Sequence, residues 1–96
     1  MFDAKQAREI TNAAKAEIDA KYKAVVDAVI EEIHNDIRGE CAKGNGSLYI
    51  EYRRYVKNDE LCFDELILRI NRELVSQGFI VATDNTDIRD NAFISW

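Results

Sequence analysis

One stripe of apolar residues constrains this chain more than any other feature. It falls at Ala7, Ile10, Ala14, Ile18, Tyr22, Val25, Val29, Ile33 and Ile37. The steps are all three or four residues, the spacing of a single α-helical face. Asp3 stands where an N-cap belongs, and Gln6 occupies the capping-box position. No glycine or proline interrupts the chain before Gly39, which is placed to end the helix as its C′ residue. The mean step is about 3.75 residues, too long to specify a left-handed heptad coil. Opposite charges at Lys15 and Asp19, Glu17 and Lys21, and Asp19 and Lys23 support the outer face. Such a helix spans about 50 Å, whereas a compact domain of this size has a radius of gyration of about 12–13 Å. The helix must therefore break near Ala13 to Ala16, or carry its N-terminal half past the core.

The two halves differ in kind. Residues 4–20 hold six alanines and only two large aliphatics, Ile10 and Ile18. Residues 22–37 carry Tyr22, Val25, Val26, Val29, Ile30, Ile33 and Ile37, the composition of a core-packing face. Beyond the turn at Lys43–Ser47, alternation predicts a strand from Leu48 to Arg53 with Leu48, Ile50 and Tyr52 on one face. Asn58 is a suitable cap for a second helix, with Asp59 and Glu60 in its first turn and Leu61, Phe63, Leu66, Ile67, Ile70, Leu74 and Val75 as its apolar positions. Gly78 closes that helix, with Leu74 and Phe79 forming the apolar pair of a Schellman motif. Two more strands come after it, Phe79–Thr83 and Ala92–Trp96, separated by a polar stretch.

The expected fold is α+β. A long N-terminal helix leads into a β-α-β-β order, giving a three-stranded sheet with both helices packed on one face. The first two strands are expected to run parallel through a helical crossover. The third returns antiparallel, either at the edge or between them. The chain reads as a single domain over 1–96, with 1–20 a projecting helical extension and 21–96 the compact core. Strand two is apolar on both sides, so the sheet face away from the helices, with Tyr49, has to meet something or stay exposed.

Net charge is −5, a poor balance for non-specific nucleic-acid binding. Its distribution is uneven: residues 41–58 carry four basic groups and one acidic, while the segments on either side are acidic. Within this island, Tyr49, Arg53, Arg54, Tyr55 and Lys57 interleave aromatic and basic side chains, which suits base stacking and phosphate contacts. The helix–strand–helix–hairpin order also matches part of a winged helix. Its would-be wing carries Asp84, Asp87 and Asp90 against one basic residue, and its would-be recognition helix opens acidic. The same island, set at an oligomer interface, would suit trapping an anionic small molecule such as a nucleotide.

Catalytic and metal signals are thin. Asp84, Asp87 and Asp90 lack the spacing of a calcium loop and read as a solvated turn. His34 is the sole histidine. Cys41 lies two turns along the same side only if the helix passes Gly39, so a Cys–His pair is not expected. Lys43-Gly44-Asn45-Gly46-Ser47 precedes a strand, whereas a phosphate loop comes after one. No cofactor, metal or enzymatic activity is expected. Cys41 and Cys62 are expected as free thiols. With a polar start and no apolar run of about 18 residues, the chain is expected in the cytoplasm, without a membrane span.

The run Ala4-Lys5-Gln6-Ala7-Arg8-Glu9-Ile10-Thr11 resembles the start of small accessory proteins of tailed bacteriophages and prophages. The end resembles the same group, with Gly78-Phe79-Ile80-Val81 and then Ile94-Ser95-Trp96. The likeness covers about a dozen residues at the start and about 20 at the end. It implies an infected bacterial cell, hence host cytoplasm, and action by binding to a host or phage partner rather than by catalysis. The group shares no activity, so no functional residues are carried over. The expected function is self-association, with Ala7, Ile10, Ala14 and Ile18 meeting a second copy or a host protein.

Overall fold

The computed structural model describes residues 2–57, 60–83 and 91–96. Its elements are α1 (Ala4–Ala42), β1 (Ser47–Glu51), α2 (Tyr52–Tyr55), α3 (Phe63–Ser76), β2 (Ile80–Thr83) and β3 (Asn91–Ser95). This is the α+β fold expected, with α1 and α3 over one face of the sheet. No helix is long and apolar enough to cross a membrane among the described residues.

α1 is one unbroken helix of 39 residues. The Asp3 carboxylate accepts from the Gln6 amide at 2.9 Å, satisfying one N–H of the first turn. Gly39 does not end the helix. One interior glycine costs only about 1 kcal/mol, and a better stop lies five residues on. Gly44 has φ +82°; its N–H reaches the Cys41 carbonyl, and the Asn45 N–H reaches that of Glu40, both at 3.0 Å. That pair of bonds is a Schellman closure. Helix length dominates the molecule, which measures 64 × 27 × 22 Å with a radius of gyration of 16.8 Å.

β1 also departs from expectation, stopping at Glu51 and not at Arg53. A continued strand would turn Arg54 inward beside Tyr52. One helical turn instead places Tyr52, Tyr55 and Val56 on the core side, at helical spacing, and leaves Arg53 and Arg54 exposed. Tyr52 is fully buried, and its hydroxyl donates to Asn71 of α3.

α3 begins at Phe63, later than expected, so Glu60 and Leu61 precede it. Asn58 and Asp59 lie outside the described residues. The Cys62 amide donates to the Tyr22 hydroxyl at 3.1 Å, which holds the chain extended at that point. Asp64 and Glu65 take over the acidic first turn. The helix ends as its spacing predicts. Gly78 has φ +92°, the Phe79 N–H bonds the Leu74 carbonyl at 3.1 Å, and the Gly78 N–H bonds that of Val75 at 3.0 Å.

The sheet order is β1-β3-β2. β3 pairs antiparallel with both neighbours, so β1 and β2 run parallel without touching. The register sets Leu48, Ile94 and Val81 in one row and Ile50, Ala92 and Thr83 in the next. These rows face the helices. Tyr49, Phe93 and Ala82 form a row on the opposite face. The core joins Tyr22, Val26, Val29, Ile30, Ile33 and Ile37 of α1 to Leu66, Ile67, Ile70 and Leu74 of α3 and to the inner sheet rows. Arg69 ties the helices from outside. It bonds Asp19 and Glu65 at 2.9 Å each and lies 4.5 Å over the Tyr22 ring.

Candidate functional site

The buried residues of α1 begin at Tyr22. Before it, Ile10 is 63% exposed and Ile18 48%, Ala14 is exposed and Ala7 half-buried. Because α1 is continuous, Ala7, Ile10, Ala14 and Ile18 share one side of a single cylinder. The structure thus brings these four together as an apolar face whose large members, among the described residues, stay largely uncovered.

The same three- and four-residue steps continue beyond Ile18 through Lys21, Val25, Ala28 and Glu32. Val25, Ala28 and Glu32, with Ala24 and Val29, line one wall of an open groove of about 740 Å³. Tyr55, Lys57 and Glu60 form the other wall. The exposed stripe therefore runs without a break into a groove built against the core. Ala28, Glu32 and Glu60 were not among the expected site residues. The stripe read from the sequence passes through Tyr22, Val25, Val29 and Ile33 and did not single out Ala28 or Glu32; Glu60 comes to the groove from the segment between α2 and α3.

The aromatic-basic segment is dispersed. Tyr49 lies on the open sheet face, its ring centroid 4.9 Å from that of Phe93. The Arg53 guanidinium sits 5.2 Å from the Phe63 ring centroid. Arg54 pairs with Glu51 at 3.1 Å. The Tyr55 hydroxyl donates to Asp36 of α1; burial and then this carboxylate push its phenol well above the usual range. Lys57 enters the groove, where Glu32 and Glu60 also stand. Two acids beside one lysine make that groove a poor trap for an anion.

His34 bonds the Gln77 amide oxygen at 2.7 Å. Because α1 passes Gly39, Cys41 does lie along the same side of the helix. Cys41 and Cys62 are exposed free thiols. Among the described residues no group of three or more potential metal ligands converges; Asp84, Asp87 and Asp90 lie outside them. No protein-family model, curated protein or solved structure matches the chain.

Proposed function

We propose that this chain is a non-enzymatic accessory protein of the phage type that self-associates and acts by binding a host or phage partner. The resemblance of its two ends supports the context. One observation carries the binding role: Ile10 and Ile18 project from a helix that outruns its own core, on a side that leads into the α1–α2 groove. A soluble chain that leaves such a stripe bare gains by covering it. Alanines at positions 7 and 14 allow a partner helix to approach closely, and a closed homo-oligomer is the usual arrangement.

Removing residues 2–18 tests this. The truncation keeps Asp19, which binds Arg69, and every buried residue of α1, so the core remains folded by circular dichroism. Light scattering should then report a smaller assembly than the full chain forms. An unchanged assembly mass would sink the proposal.

A further inference from the structure

A second groove, distant in kind from the α1 stripe, lies between α3 and the outer edge of the sheet. β2 ends the strand order, and β3 is its one strand neighbour. Among the described residues no backbone group bonds Ile80–Thr83 from the other side. Edge strands are normally protected by charge, proline or a bulge; Ile-Val-Ala-Thr has none of these. Beside this edge runs a groove of about 400 Å³, lined by Leu68, Asn71, Arg72, Val75, Val81 and Thr83. Leu68 and Val75 are 44% and 57% exposed, on the side of α3 turned away from Arg69 and its α1 contact.

We propose that this edge and groove take up an extended peptide of a partner protein, added to β2 as a fourth strand, with a carboxylate set against Arg72. Free alternating N–H and C=O groups along an edge are complemented by another extended backbone. Every second side chain of that strand then faces α3, at a repeat of about 6.8 Å. The step from Leu68 to Arg72 along the helix is close to this, about 6 Å. An apolar side chain followed two positions on by an acidic one thus matches Leu68 and Arg72, and the next apolar side chain passes the end of α3 beyond Val75, which lies about 4.5 Å from Arg72 along the helix. The polar groups of the groove select the acid. Arg72 has no ion-pair partner among the described residues. Asn71 uses its oxygen to accept from Tyr52, leaving its amide N–H groups to donate. Among the described residues no carboxylate lines the groove. A second copy of this chain fits less well. Pairing β2 with its own copy would set two Arg72 side chains along one combined groove without an anion between them.

The probe is an acetylated, amidated hexapeptide, Thr-Val-Thr-Asp-Thr-Val, titrated into the full chain and monitored by amide-resolved NMR. Shifts are expected in 80–83 and 68–76. Alternate backbone N-methylation of the peptide should weaken binding by about tenfold, the loss of a strand hydrogen bond or more. Arg72→Glu should weaken it by about fivefold and favour the peptide with Lys in place of Asp. Three results would each overturn the proposal: no shifts in these segments at millimolar peptide; binding indifferent to N-methylation or to Arg72→Glu; or concentration-dependent shifts in β2 without peptide, which would give the edge to a second copy.

Discussion

Ile10 and Ile18 offer the most direct measure of what the free half of α1 contributes. Replacing both with glutamine keeps helix propensity near its present level and removes the two large apolar groups of the stripe. Full burial of an isoleucine is worth about 1.5–3 kcal/mol. With 63% and 48% of these residues still exposed, covering both would contribute roughly 2–3 kcal/mol per protomer. In a two-fold contact each residue counts twice, giving about 3–6 kcal/mol. Interfaces return less than their buried area suggests, so the lower end applies. It corresponds to a rise in dimer Kd of about a hundredfold. The monomer should barely notice, because an exposed substitution changes folding free energy by about 0.5 kcal/mol or less. Sedimentation equilibrium over a wide concentration range, with a thermal melt on each sample, separates the two effects. If Ile10→Gln with Ile18→Gln associates as strongly as the parent, the stripe is not the contact surface. A fall in Tm at unchanged mass would mean these side chains serve the fold.

The glycines predict opposite signs. Gly39→Ala should stabilise by roughly 0.5–1 kcal/mol, since that site is helical and a Cβ meets nothing within 4 Å. Gly78→Ala should destabilise by about 1 kcal/mol, because the residue stands at φ +92°; denaturant midpoints compare the two. Burial pushes the Tyr52 phenol up to about 12, so the unfolded chain loses that proton first. Its stabilising contribution is full below pH about 10 and is lost as pH rises toward 12, so the unfolding free energy should slope downward there and less so in Tyr52→Phe. Arg69→Ala should lower the unfolding midpoint through loss of its contacts with Asp19, Glu65 and the Tyr22 ring. That decrease should shrink in high salt, as measured by urea unfolding at two ionic strengths.

Local signals were legible where neighbours in sequence decide the outcome. Gly78 ends α3 with the Leu74–Phe79 closure read from spacing, since the bonds involved lie within six residues. Gly39 misled because a glycine stops a helix only when the residues after it can complete the closure, and Gly44 with Asn45 makes the stronger one. The alternation through Tyr52 and Arg53 looked like a strand for two residues too long. Partners on other elements, Asn71 and Asp36, draw the two tyrosines into a helical turn. The delayed start of α3 has the same origin, a hydroxyl of Tyr22 on the Cys62 amide 40 residues away. The apolar stripe was fully readable, whereas the groove it enters was not, because Glu60 reaches it from another part of the chain.

The sequence by itself determined that a helical stripe runs longer than the core, that its first half carries a separate face, and where the second helix stops. Each of these results from periodicity and capping, which act over a few residues. The tertiary structure alone decided that β3 lies between β1 and β2, that the basic island is scattered over several surfaces, and that β2 is left as a free edge beside α3. Those outcomes depend on which buried faces meet, a choice made by contacts between residues distant in the chain.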